Sequence, residues 1–161
     1  MKLRVLSVGR KMPAWIGAGV DEYARRLPRH LGFQLVEITP AKGPDPQSIR
    51  CAEAQALCKS AGQARLVALD ERGRGWTTED LASQFKGWLD DGRDVAFLIG
   101  GAEGLDESLR RQASAVWSLG PLTLPHQLVR VVLAEQLYRA WTILQGHPYH
   151  RPTVRPGREG G

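Results

Sequence analysis

Residues 94–105 read Asp-Val-Ala-Phe-Leu-Ile-Gly-Gly-Ala-Glu-Gly-Leu, DVAFLIGGAEGL. The first six, Asp94 to Ile99, carry an unbroken apolar run. Such a run suits a short strand covered on both faces, as in a parallel sheet, since a half-exposed strand would alternate. The glycines that follow end the strand and allow a turn in which the backbone can approach a ligand closely. A helix, Glu107 to Ala113, comes next, and then a short strand, Ala115 to Leu119.

Working outward, the same alternation of element types continues. Lys2 to Val8 (KLRVLSV) and Phe33 to Thr39 (FQLVEIT) alternate apolar and polar residues and are strands. Arg65 to Leu69 (RLVAL) is a third strand, followed by the loop ERGRG. A helix opens at Met12-Pro13 with Trp15, Gly19, Tyr23 and Leu27 as its apolar positions, and Pro28 stops it. Asp45-Pro46 is an N-cap with proline at the first helical position, opening a helix that carries Ile49, Ala52, Ala56 and Leu57 and ends at Gly62. Thr77 and Asp80 form a capping pair, and Leu81, Phe85, Trp88 and Leu89 make an apolar stripe behind it. Val129 to Gln145 is the longest helix, stopped by Gly146. Strands alternating with helices specify an α/β protein with a mainly parallel sheet flanked by helices. One domain over 1–151 is expected, with a disordered Gly-, Pro- and Arg-rich tail over 152–161.

Composition narrows the function. The chain has 161 residues, 42% apolar and 24% charged, with net charge +5 and a pI near 9.6. A basic balance favours an anionic partner, nucleic acid above all. Arg25, Arg26, Arg29 and His30 cluster early, and Arg151, Arg155 and Arg158 cluster late. No apolar run approaches the ~20 residues of a membrane span. Met1 to Gly9 has the pattern of a strand, not a signal peptide, so a cytoplasmic location is expected. Cys51 and Cys58 fall seven apart in a helix, roughly 10 Å between Cα atoms. That is beyond the ~7 Å reach of a disulfide. With no nearby histidine pair they make a poor metal site, and no metal is expected.

Ligands of open α/β sheets bind beyond the carboxyl ends of the strands. Three loops leave such ends: Leu69–Gly75, Gly100–Leu105 and Leu119–Pro125. GGAEG has neither the dinucleotide nor the phosphate-loop spacing, and the chain has no G-x-S-x-G nucleophile elbow. On its own GGAEG is more often a tight structural turn than a ligand loop. His126 at the start of a long helix suits capping or packing. The closing HPYHR, with His147, Tyr149, His150 and Arg151, gathers flat rings beside a guanidinium, a grouping suited to nucleobase stacking and phosphate pairing.

Several separated segments together resemble the bacterial 23S ribosomal RNA pseudouridine N3-methyltransferase family, a minimal branch of the SPOUT class. They are VGRKMPAW, LDERGRGWTTEDLA, DGRDVAFLIGGAEGL, WSLGPLTLPHQLVRVVLAEQLYRAWTILQG and HPYHR, covering Met1 to about Arg151. The resemblance implies a C-terminal trefoil knot around S-adenosylmethionine, a homodimer, and ribosomal RNA on the ribosome as substrate. It also implies a cofactor site at Leu69, Gly100, Gly101, Leu119, Gly120, Pro121, Leu122, Thr123 and Leu124. N3 of the target must lose its proton, so a base or a hydrogen-bond donor is expected among His150, Tyr149, Arg151 and Glu103, with Arg139 as an RNA anchor. A non-catalytic ribosome-binding protein of this fold, and a methyltransferase acting on another RNA, are the alternatives.

Overall fold

A computed structural model of the chain describes residues 1–151; the 152–161 tail lies outside the described residues. Five strands and five α-helices alternate: β1 (Leu3–Val8), α1 (Ala14–Ala24), β2 (Gln34–Ile38), α2 (Pro46–Ala61), β3 (Arg65–Gly75), α3 (Thr78–Asp91), β4 (Val95–Ile99), α4 (Glu107–Gln112), β5 (Ala115–Ser118) and α5 (His126–Leu144). The strands form one parallel sheet in the order β2-β1-β4-β3-β5.

The apolar run at 95–99 explains the layering. All five residues of β4 are buried. Val95, Phe97 and Ile99 enter one core with Leu81, Phe85 and Trp88 of α3 and Leu133, Leu137 and Ala140 of α5. Ala96 and Leu98 enter the opposite core with Ala54, Leu57 and Ala61 of α2 and Leu109 of α4. The two-residue period of a strand thus divides its side chains between two helical layers. A third cluster, Ile16 and Val20 with Ala134, packs α1 onto α5. The expected caps form. Asp45 accepts from Ser48 N at 2.8 Å, and Thr77 and Asp80 make a reciprocal capping box.

Five expectations need correction. ERGRG is not a loop: β3 continues to Gly75 because β5 pairs with it on both sides of a bulge. Leu69 and Arg74 both face Trp117, so residues 70–73 are pushed out of register. Gly73 fits only because it lacks a Cβ, which would lie 2.5 Å from the Val116 carbonyl oxygen. On α1, Trp15 is 65% exposed while Ile16 and Val20 are buried, because the face turned to α5 lies one position further on. That helix also ends at Ala24, before Leu27 and Pro28. On α2, Ala52 is exposed and the buried face is Glu53, Ala54, Leu57 and Ala61. The long helix starts at His126, three residues before Val129, with Pro125 as its N-cap.

Phe97 is fully buried, in edge contact with Trp88 at 5.6 Å. Phe97→Ala is expected to lower unfolding free energy by about 3–5 kcal/mol, read as a reduced denaturant midpoint with an unchanged slope.

Candidate functional site

Between the β3 bulge and the carboxyl ends of β4 and β5 lies a cavity of about 410 Å³. That is within the range of small-molecule sites. Leu69 enters it from β3 just before the bulge, Ile99 from the end of β4, and Trp117 from β5. Leu119, Gly120, Leu122 and Leu124 contribute from the loop between β5 and α5, and His126 and Val129 from the first turn of α5. Gly100, Gly104 and Leu105 come from the glycine turn, and Asp70, Glu71 and Arg72 from the β3 bulge. The lining is mainly apolar, with its charged side chains on the bulge.

The glycine turn is tight for steric reasons. Gly104 has φ of +77° and donates its N–H to the Gly101 carbonyl at 3.0 Å. A Cβ on Gly100 would lie 2.7 Å from the Gly104 carbonyl carbon, and one on Gly101 would lie 2.9 Å from Val8 Cγ1. The turn is therefore both a packing device and a cavity wall. On the opposite wall Asp70 accepts from Arg72 N at 2.9 Å and sits 3.5 Å from Arg110 Nη1. With its side chain only 11% exposed, this carboxylate and its two guanidinium partners fix the bulge. Trp117 stacks on Trp76 at 5.1 Å, and its buried Nε1–H has no hydrogen-bond partner.

Of the nine residues expected at the cofactor, Leu69, Gly100, Leu119, Gly120, Leu122 and Leu124 line the cavity. Gly101, Pro121 and Thr123 lie beside these in the chain and do not line it. Asp70 and Arg72 fall within the expected Leu69–Gly75 segment, though on a bulged strand and not a loop, whereas Ile99, Trp117, His126 and Val129 lie outside the three expected loops. The bulge depends on pairing with a distant strand, but His126 was accessible to inference. It opens α5, where side chains lean toward the N-terminus and hence toward the strand ends.

The catalytic candidates gather elsewhere. After α5 the chain turns back, and the Tyr149 hydroxyl donates to Glu135 Oε1 at 3.2 Å. Arg139 donates to the same oxygen from Nε at 2.8 Å and lies over the Tyr149 ring at 4.8 Å. His150 reaches Arg139 Nη1 at 3.4 Å through Nδ1 and Glu79 Oε1 at 2.7 Å through Nε2. Burial, then the Glu135 charge, raises the Tyr149 phenol, and the hydrogen bond to Glu135 raises Arg139. Glu103 is exposed on the glycine turn, and Arg151 is exposed at the end of the described chain. His126 and Arg139 are thirteen residues apart on one helix, about 20 Å along its axis. Within one chain the HPYHR cluster and the cavity are therefore separate. Among the described residues no cluster of three or more His, Cys, Asp or Glu side chains could hold a metal ion, and no helix is long and apolar enough to cross a membrane.

The chain matches known proteins along almost all of its length. The model of the family described as "Predicted SPOUT methyltransferase" matches residues 1–150. A relative from Burkholderia multivorans named "Ribosomal RNA large subunit methyltransferase H" is 54% identical over 155 residues, covering 94% of this chain and 99% of the relative. One of the same name from Paraburkholderia phymatum is equally similar over the same shares. Among solved structures, a probable methyltransferase from Bordetella pertussis aligns with TM-score 0.58 at 18% identity, over 86% of this chain and 95% of that one. The tRNA (m1G37) methyltransferase of Aquifex aeolicus aligns with TM-score 0.53 at 16% identity, over 99% of this chain and 78% of that one. At these identities the two structures speak for the fold alone.

The hydrogen bond from His150 first, and then the backbone N–H of Glu79 itself, hold the Glu79 carboxyl below its usual range. A depressed carboxyl stabilises the fold above its unfolded value, about 4.3, and loses that contribution as pH falls through the folded value. Carbon-detected NMR titration should place the Glu79 midpoint below 4.3, moving up toward it in His150→Ala. An unmoved midpoint would show that the pair does not form.

Proposed function

The chain belongs to the SPOUT methyltransferase family, and on that premise we propose that it methylates N3 of a pseudouridine in large-subunit ribosomal RNA, using S-adenosylmethionine. The observation that carries the proposal is the apolar cavity of about 410 Å³ at the β3 bulge and the ends of β4 and β5, walled by the Gly100–Gly104 turn. The relatives' name supplies the RNA class.

The residues present suit the cofactor. Leucines at 69, 119, 122 and 124 offer an apolar slot for a flat heterocycle. The turn and the loop over 119–124 present backbone polar groups at its edge, and the orphaned Trp117 Nε1–H is a donor awaiting an acceptor. Leu69, Gly100, Leu119, Gly120, Leu122 and Leu124 would hold it. When bound, the cofactor supplies an electrophilic methyl carbon on a sulfonium. The chain's own residues position, exclude water and handle the proton.

The N3 proton must leave before the nitrogen can act as a nucleophile. His150, oriented by Glu79 and Arg139, is the leading base, and Tyr149 and Arg151 are candidate donors to the ring oxygens. Arg139, held by Glu135, would serve as the RNA anchor, and Glu103 stands on the cavity's outer turn. One chain keeps the HPYHR cluster away from its own cavity, so this chemistry needs a homodimer in which each copy offers its tail to the other's cavity. Leu122, 73% exposed on the cavity loop, suits a covered position there. A trefoil knot formed by the segments after β3, β4 and β5, and a cytoplasmic location with the ribosome, belong to the same reading.

The test is to incubate the protein and labelled S-adenosylmethionine with ribosomes from a strain lacking this activity, then map the label. Label on N3 of one large-subunit pseudouridine is expected. No transfer with cofactor binding intact would make the protein a non-catalytic ribosome-binding member of the fold, and label on another RNA would change the substrate. His150→Ala should lower turnover by about 100-fold or more while cofactor affinity stays within about twofold of the parent protein. Unchanged turnover would remove His150 as the base.

A further inference from the structure

The basic cluster on the first helix is largely committed within the protein. Arg25 and Arg26 both hold Glu22, and Arg26 also lies over the Tyr23 and Tyr138 rings at 5.6 Å. The loop after β1 is different. Arg10 and Lys11 are exposed, and no carboxylate among the described residues pairs with either. Lys11 has φ of +42°, the one non-glycine residue with positive φ among the described residues. An L residue keeps that conformation only where its surroundings hold it.

Those surroundings are visible. Gly9 donates its N–H to the Ile38 carbonyl at 3.0 Å. A Cβ on Gly9 would lie 2.8 Å from Arg130 Nη2 and 3.4 Å from Gln127 Nε2, so α5 braces the loop from beneath. The Arg130 side chain is wholly buried. Its Nε donates to Ser7 Oγ at 2.9 Å and Nη1 pairs in charge with Glu37 Oε2 at 3.3 Å, but neither Nη1 nor Nη2 makes a hydrogen bond. An arginine is expensive to bury with a donor unmet, and here it fixes one short loop.

The loop also stands at the right place. β1 and β4 are neighbours whose following helices pack on opposite faces of the sheet, the switch point where open sheets take ligands. His126, which lines the cavity, has Nε2 3.7 Å from the same Gly9 Cβ position. Arg72 of the cavity wall and exposed Arg74 lie on the far side, on β3. Exposed cations therefore flank the cavity on both sides.

We propose that the Gly9–Arg10–Lys11 loop is a phosphate clamp for the RNA strand carrying the target nucleotide, kept in its strained form by the buried Arg130. The proposal rests on the methyltransferase reading above. Backbone phosphates are recognised without regard to sequence, so the clamp sets position and affinity and leaves base choice to the cavity.

The test uses large ribosomal subunits lacking the modification, with binding measured from 50 to 200 mM salt. Each phosphate contact to a single strand contributes about 0.7 to the slope of log affinity against log salt. Arg10→Ala with Lys11→Ala should therefore flatten the slope by about 1.4 and raise KM for the subunits about tenfold, with cofactor affinity unchanged. Lys11→Gly removes one charge and the strain, and should flatten it by about 0.7. Arg130→Met keeps both surface charges and should raise KM with a smaller change of slope, while Lys59→Ala on α2 leaves both alone. A double variant with the parent slope and KM overturns the clamp even if methyl transfer proceeds. Methyl transfer absent from the parent protein, with its slope still lost in the double variant, overturns the enzymatic reading and leaves the clamp standing. A parent protein that does not bind the subunits overturns both.

Discussion

Burial of β4 on both faces is the constraint from which the rest follows. Val95, Phe97 and Ile99 serve one helical layer and Ala96 and Leu98 the other, so a helix must cover each side of the sheet. A parallel sheet needs long crossovers, and these deliver every strand's carboxyl end to the same edge. The cavity exists because the ends of β4 and β5 open beside the bulge of the β3 strand between them. Gly100 and Gly104 then bend the chain away from β4 at once, which keeps the edge open for a ligand.

The long helix α5 ties this edge to the remainder of the molecule. Its first turn supplies His126 and Val129 to the cavity, its second turn places Arg130 beneath the β1 loop, and Glu135 and Arg139 follow further along. Arg139 and Glu135 fold the closing residues back through Tyr149 and His150. A single rigid element thus sets the spacing between ligand cavity, loop clamp and tail cluster.

Much of the fold was legible because it rests on local patterns. The apolar run of β4, the Asp45-Pro46 start and the Thr77/Asp80 box are each written within a few residues. What was not legible depends on distant partners. The β3 bulge exists because Trp117 pairs twice, and nothing between Leu69 and Gly75 signals that. Trp15 has the size and spacing of a core residue, yet the face it occupies points away from α5. In the site, the glycine turn and the leucines over 119–124 could be placed from strand ends. The segment of Asp70 and Arg72 was also placed there, but its form as a bulged strand was hidden with the pairing to β5. Family resemblance supplied the reaction, since no spacing of residues in this chain states it.

The central claim is that the cavity at the β3 bulge and the ends of β4 and β5 takes the methyl donor. Backbone amide NMR during titration with S-adenosylhomocysteine tests this most directly. The account predicts saturable shifts concentrated at Leu69, Gly100, Gly104, Leu119 to Leu124 and His126, with little change at the polar hollow formed by Gly62, Gln63, Arg93 and Ser114 at the opposite sheet edge. Shifts centred on that hollow, or none at saturating ligand, would contradict it.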